Sequence, residues 1–465
     1  MTTKNLILRT DSYKVSHWPV YPENTDFIYS YLESRGGAFP ETVMAGTHFY
    51  LKRYLDVRIT EDMVNYARKR FAAHFGDDTI FNYDGWMSIV TDLGGKLPLR
   101  IRAVPEGTVV PTRNVLMTIE NTVKGYGWLV NHFETLMLKV WYPITVATLS
   151  REIKKIIANA LHRTGDIKLL PFKLHDFGYR GVSSEESAEV GGMAHLINFM
   201  GTDTFIALEM IDEIYGEQMA GFSIPATEHS VMTARGEMGE VEQMKRFLET
   251  FEDATVPAIA CVSDSFNIFR ACEEYWGGAL RAKVLKIAES GKMLAVRPDS
   301  GEPAVVVRQV IETLDKQFGH TVNDKGFKVL NAVRVIQGDG INLDSIKRII
   351  DELEIRGWSI DNIAFGMGGA LLQQINRDTL KFAFKASSMI INGQVRDIYK
   401  DPITDTGKRS KRGRLKLINQ DGVLTTVNTD QYGFDILETV YENGEILVNP
   451  MFSEIRARAE IPNNS

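Results

Sequence analysis

Between about residues 165 and 390 the hydrophobic and polar positions follow a rhythm. A short, mostly apolar run ends in polar residues, and a helical pattern often follows. Residues 169–174 run into His175-Asp176-Phe177-Gly178, and 258–262 into Ser263-Asp264-Ser265. Residues 294–296 run into Arg297-Pro298-Asp299-Ser300-Gly301, 333–336 into Gln337-Gly338-Asp339-Gly340, and 363–365 into Gly366-Met367-Gly368-Gly369. Runs this short and continuous fit strands buried on both faces, and their alternation with helices predicts a parallel sheet. All five polar segments fall at the C-terminal ends of the predicted strands. That edge carries the active site in α/β barrels and open α/β sheets, so the pattern predicts one site built from these loops.

The flanking regions, about 1–160 and 390–465, read differently, as short strands mixed with amphipathic helices. Residues 115–119 are strand-like. Residues 153–161 read as a helix whose apolar positions are Ile153, Ile156, Ile157 and Leu161.

Composition narrows the class. The 465 residues are 44% hydrophobic and 24% charged, which excludes a disordered chain and suits two or three domains, or one large barrel with additions. With 53 basic and 60 acidic residues the net charge is −7. That balance argues against a dedicated nucleic-acid binder, while leaving room for a local basic pocket. Two cysteines, Cys261 and Cys272, frame neither a disulfide scaffold nor a metal site. The apolar run at the N-terminus is too short for a signal peptide. The most apolar stretch, 136–149, is interrupted by Lys139 and Pro143 and too short to cross a membrane. A soluble cytoplasmic protein is expected.

Several motifs carry candidate chemistry, each beside a plainer alternative. Gly366-Met367-Gly368-Gly369 precedes a predicted helix over 371–380, so its backbone can approach a phosphate, or it simply makes a tight turn. Asp339 in Gln337-Gly338-Asp339-Gly340 can accept from sugar hydroxyls, or sit in a structural turn. Arg297 and Asp299 form either a ligand-binding pair or an intraloop salt bridge. His229, beside Glu228, can act as a general base or nucleophile, or be an ordinary packed histidine. The segment 407–416 holds six basic residues in ten. It suits a multiply charged phosphate ligand, a solvated loop or a nucleic-acid contact. Tyr13 and Phe177 are aromatics in polar settings, able to stack a heterocycle or pack in a core. There is no P-loop, no serine-hydrolase elbow and no H-E-x-x-H. These residues define an α/β enzyme acting on a phosphorylated ligand.

Together the motifs resemble the type II phosphoribosyltransferase family, and within it the nicotinamide phosphoribosyltransferases. The resemblance runs through T-D-S-Y-K-V-S-H at 10–17, Y-P-I-T-V-A-T at 142–148, K-L-H-D-F-G-Y-R-G-V-S-S at 173–184 and G-T-D-T at 201–204. It continues through E-H-S at 228–230, V-S-D-S at 262–265, R-P-D-S-G at 297–301, V-I-Q-G-D-G at 335–340 and K-R-S-K-R-G-R-L at 408–415. It implies a TIM-like (β/α) barrel domain over 165–390 and an additional α+β domain built from 1–164 and 391–465 at a homodimer interface.

The implied reaction makes nicotinamide mononucleotide and pyrophosphate from nicotinamide and phosphoribosyl pyrophosphate in NAD salvage. ATP is a co-substrate, spent through a phosphohistidine, and Mg2+ a cofactor. Residue by residue, Phe177 and the partner subunit's Tyr13 would stack on the pyridine ring and Asp203 would hold the carboxamide. Arg180 and Arg297 would meet the diphosphate, with Asp264 and Asp299 on the ribose and magnesium side. Gly338, Asp339 and Gly369 would contact the ribosyl phosphate, reached from the other subunit by Arg377 and Lys385. His229 would be phosphorylated, and Arg35, Lys400 and Lys408 belong to basic segments near the phosphates. The chain departs from the vertebrate pattern at Ala260, Met367, Ala370 and Ala383. Nicotinate phosphoribosyltransferase is the alternative within the family. Asp203 speaks against it, because a carboxylate repels nicotinate and accepts from an amide –NH2.

Overall fold

Four of the five apolar runs become strands of one parallel sheet: Ala258–Val262, Met293–Arg297, Val333–Gln337 and Ile363–Met367. The structure is a computed structural model and describes residues 5–404 and 409–462. The first run differs from expectation. Ile167–Phe172 is a 3-10 helix containing Pro171, and pairing is confined to Leu174–Asp176. Proline has no N–H to give a central ladder, so the strand forms only beyond it.

Gly201–Thr202 joins the sheet beside Leu174–Asp176, and every pairing from there to Ala258–Val262 is parallel. Residues 222–227 then close the ring. Phe222 bridges Gly201, and Ala226 bridges Ala260. Thr202 N–H donates to the Phe222 carbonyl at 3.0 Å and Ala260 N–H to the Pro225 carbonyl at 2.9 Å. The result is a TIM-like (β/α) barrel whose staves follow chain order around the ring.

Helices fill the intervals. Pro303–Phe318 begins with Pro at its first turn, where no N–H is needed, and Glu302 caps it through the Val305 N–H. Leu343–Ile355 begins with a capping box between Asn342 and Ser345. Ile259, Leu294, Val296, Val335 and Phe365 are fully buried, as strands covered on both faces require.

The chain forms two compact units. The barrel unit holds Leu149–Asp212 and Gln218–Ile375. The other holds the chain up to Thr148, Glu213–Glu217 and the chain from Asn376 to Glu460. The first division falls inside the helix Trp141–Thr164, and the last falls ahead of 390/391 for a physical reason. Phe382–Ile391 pairs antiparallel with Thr25–Ser34, a hydrogen-bonded ladder that draws it out of the barrel. In the second unit a seven-stranded antiparallel sheet interleaves early and late segments. Its order is Gln394–Asp397, Phe382–Ile391, Thr25–Ser34, Val115–Asn121, Leu99–Ala103, Glu438–Glu442 and Glu445–Ile446. The expected helix at 153–161 lies within Trp141–Thr164. Among the described residues no helix is long and apolar enough to cross a membrane.

Candidate active site

The C-terminal ends of the barrel staves converge on a cleft of about 640 Å³ lined by Phe177, Tyr179, Arg180, Asp203, Thr204, Arg297, Asp299, Gly338, Asp339 and Gly368. Phe177 follows the Leu174–Asp176 strand, and its N–H donates to the Met367 carbonyl at 3.0 Å. The Arg297 guanidinium carbon lies 5.4 Å from the centre of the Phe177 ring. Arg297 also bonds Asp299 Oδ1 at 3.0 Å, but its buried Nε has no hydrogen-bond partner. A buried guanidinium N–H without a partner suits an anion acceptor. Arg180 is exposed.

Asp203 stands at the end of the two-residue Gly201–Thr202 stave. Its Oδ1 accepts from Ser223 Oγ at 2.5 Å and lies 3.4 Å from His175 Nε2. Burial alone would raise its pKa; the His175 ring, the Ser223 hydroxyl and Arg297 outweigh that and hold the carboxyl below its usual value. Asp203 is therefore ionised at neutral pH.

Beside the cleft, Asp264 joins two loops. Its Oδ1 lies 2.9 Å from His229 Nε2. Its Oδ2 accepts from the Asp299 N–H at 3.0 Å and from Ser300 Oγ at 2.6 Å. The expected trio His229, Asp264 and Asp299 is thus one hydrogen-bonded network, with His229 heading the short helix His229–Met232 just after the closing stave.

The glycine run divides into two roles. A Cβ on Gly366 would lie 1.9 Å from the Phe177 ring, so Gly366 makes room for that aromatic. Gly369 has open space where a Cβ would project, so its backbone is accessible to a ligand. The helix expected over 371–380 is not continuous. Gly369–Leu372 makes one turn, and Asn376 caps a separate 3-10 turn, Arg377–Thr379. Asn at that position competes with helix propagation by bonding the backbone ahead of it.

Arg35, Arg377, Lys385 and Lys400 belong to the other unit. They line a cleft of about 490 Å³ together with Arg113, Lys381, Ala383, Glu134 and Asp378, among others. Six cations face two acids there. Arg35 Nε is bonded to Glu33, but its buried Nη2 has no partner. Burial draws the Lys385 pKa down; Glu134 opposes this, and Arg35, Lys14 and Lys400 add to it. Tyr13 is exposed on the same unit, beside Lys14, which is paired to Glu134 at 2.7 Å. Lys408 lies outside the described residues.

The basic run is largely engaged. Arg409 pairs with Asp401, Lys411 with Glu33 and Arg414 with Glu120, and Arg412 stacks on Tyr399. Residues missed in the sequence include Tyr179, Thr204, Ser223 and Ser300 around the barrel cleft, and Arg113 and Lys381 in the basic one. Ser300 adjoins the quoted Asp299. Arg113 and Lys381 stand far apart in the chain, and both adopt left-handed backbone, with φ of 67° and 51°. That conformation is unfavourable for long side chains and clusters at functional sites.

Residues 172–445 match the Nicotinate phosphoribosyltransferase (NAPRTase) family, and the chain belongs to that family of phosphoribosyltransferases. Within it, residues 5–101 match the N-terminal domain of nicotinamide phosphoribosyltransferase. The chain is 49% identical to the nicotinamide phosphoribosyltransferase of Xanthomonas campestris pv. campestris (strain 8004), over 98% of each protein. It is 31% identical to the nicotinamide phosphoribosyltransferase of Acinetobacter baylyi, covering 96% of this chain and 95% of that one. Its fold is similar to that of nicotinate-nucleotide pyrophosphorylase from Pyrococcus furiosus, with TM-score 0.61 and 16% identity over 99% of this chain and 96% of that one.

Proposed function

We propose that this enzyme transfers phosphoribosyl from 5-phosphoribosyl 1-pyrophosphate to nicotinamide, yielding nicotinamide mononucleotide and pyrophosphate for NAD salvage. The juxtaposition of the Phe177 ring, the ionised Asp203 and the partly unpaired Arg297 in one cleft carries the reading. The pyridine nitrogen attacks the anomeric carbon, and the new C–N bond forms as the C–O bond to pyrophosphate breaks. Phe177 stacks the ring and Asp203 accepts from the carboxamide –NH2. Arg180 and Arg297 hold the leaving diphosphate, and Gly338, Asp339 and Gly369 line the ribosyl phosphate. Cations on the leaving group and carboxylates beside the sugar stabilise the charge that develops, and positioning supplies much of the rest.

Base choice is the direct test. Asp203→Asn removes the charge that repels nicotinate and weakens a charge-assisted hydrogen bond worth about 1.5–3 kcal/mol. The kcat/KM ratio of nicotinamide to nicotinate should fall by roughly 10–100-fold. A ratio unchanged from wild type would remove Asp203 from the base site.

ATP would act through His229. Asp264 holds Nε2–H, which leaves the Nδ1 lone pair to attack the γ-phosphorus as the bond to ADP breaks. Pyridine attack needs no histidine, so His229→Ala should retain slow transfer and lose its stimulation by ATP, measured as product formation with and without the nucleotide. Full stimulation in that variant would contradict the assignment.

Among the described residues no group of three or more His, Cys, Asp or Glu could cage a metal. Mg2+ characteristically keeps waters and binds through one or two carboxylates plus substrate phosphates. Asp299 fits that role. Both Asp264 oxygens are already engaged, so Asp264 suits orientation of the site better than ligation. The ion would neutralise the diphosphate as it leaves. The cation-rich cleft with Arg35, Arg377, Lys385 and Lys400, and the exposed Tyr13 near it, support a homodimer in which these residues serve the partner subunit's barrel cleft.

A further inference from the structure

Asp176 ends the Leu174–Asp176 strand beneath the base cleft, is fully buried, and has no role in the chemistry above. It is bonded to both sides of that cleft. Its Oδ1 accepts the Gly178 N–H at 2.7 Å, which ties down the backbone on the far side of Phe177. Its main-chain carbonyl accepts the Asp203 N–H at 3.0 Å. The stacking residue and the amide acceptor are therefore both anchored to one residue. The remaining oxygen, Oδ2, is buried without a regular hydrogen bond, as is the neighbouring Thr204 Oγ1, and Thr204 itself lines the cleft. Burial pushes the Asp176 carboxyl up to about 6; the Thr204 hydroxyl, the Gly178 N–H and His175 pull the other way, and Asp203 adds to the rise.

A fully buried carboxylate is a costly way to hold a turn. Its placement explains it, because few other side chains reach the Gly178 N–H from the end of a strand whose carbonyl is already given to Asp203. Space is tight as well. A Cβ on Gly192 would lie 3.4 Å from Oδ2, and one on Gly178 would lie 3.0 Å from Oδ1.

We infer that Asp176 is a positioning residue for the base, setting the spacing between the Phe177 ring and the Asp203 carboxylate. This rests on the reading of the cleft as a nicotinamide site. The acceptor at Oδ1 is what the role requires. The charge is not, because an asparagine would keep that acceptor and offer an N–H to Thr204 Oγ1.

The test is steady-state kinetics of the full chain with each substrate varied in turn. Asp176→Ala should raise the KM for nicotinamide by about tenfold or more, the scale of one lost buried hydrogen bond. The KM for phosphoribosyl pyrophosphate should stay within about twofold. Asp176→Asn should stay within about threefold of wild type in both. If the alanine variant does not accumulate as folded protein, Asp176→Glu, which displaces the carboxylate by one methylene, should give the same selective rise. Equal rises in both KM values, a wild-type KM for nicotinamide in the alanine or glutamate variant, or an asparagine variant as impaired as alanine, each overturns the inference. Failure of the underlying reading looks different: the wild-type chain forms no product from nicotinamide, and both then fall.

Discussion

Replacing Asp264 with alanine is expected to lower kcat/KM by about two to three orders of magnitude. One carboxylate holds the His229 ring at 2.9 Å, the Asp299 N–H at 3.0 Å and the Ser300 hydroxyl at 2.6 Å. Charge-assisted bonds of this kind are each worth about 1.5–3 kcal/mol. Groups that act together are not additive, so a loss of about 3–4 kcal/mol is the reasonable total. The same substitution should also abolish stimulation by ATP, because the imidazole loses the acceptor that fixes its tautomer. Kinetics with and without ATP check both effects. Activity within about fivefold of wild type, with ATP stimulation intact, would mean that the loops are held by other contacts.

The second large effect concerns assembly. If the partner subunit's Tyr13 and this chain's Phe177 sandwich the same ring, each single-alanine homodimer has two damaged sites. Mixing Tyr13→Ala with Phe177→Ala creates heterodimers in which one site carries both substitutions and the other neither. Random exchange makes about half the dimers mixed, so activity should recover to roughly a quarter of wild type. A lost stacking face costs about 0.5–1.5 kcal/mol beyond buried area, so both parents must first prove clearly impaired, and the chains must be co-expressed or co-refolded. Activity that stays at the parental average after proven exchange would place both aromatics in one subunit's site.

The barrel's chemistry was legible because its longer staves are apolar runs that stop abruptly at Asp, Arg or Gly. Asp264, Arg297, Asp299, Gly338 and Asp339 stand where that pattern put them. Two staves left no such trace. Gly201–Thr202 pairs over two residues and 222–227 by single bridges, too little to require an apolar run. Of the residues that follow them, Asp203 is marked only by the family resemblance, while His229 stands out as a histidine beside Glu228 and owes its phosphohistidine role to the resemblance. The basic cleft was legible only in fragments. Arg35 and Lys385 come together because Thr25–Ser34 pairs with Phe382–Ile391 across most of the chain's length, and no local pattern encodes that pairing. The helix expected over 371–380 is interrupted because Asn376 caps a new 3-10 turn, a preference that apolar spacing does not encode.

The barrel wall is unevenly zipped. Ala258–Val262 and Met293–Arg297 stay in register over five residue pairs, whereas the stave at 222–227 is fastened by one bridge on either side. Local opening is expected first where backbone bonding is thinnest, and this stave, with two backbone hydrogen bonds to each neighbour, is the element expected to yield first. His229 follows it directly, and Asp264 follows one of the best-fastened staves. Their hydrogen bond couples a yielding element to a stiff one. Strain introduced at the histidine can therefore relax through its own stave, while the rest of the wall keeps Phe177, Arg297 and Asp299 in place.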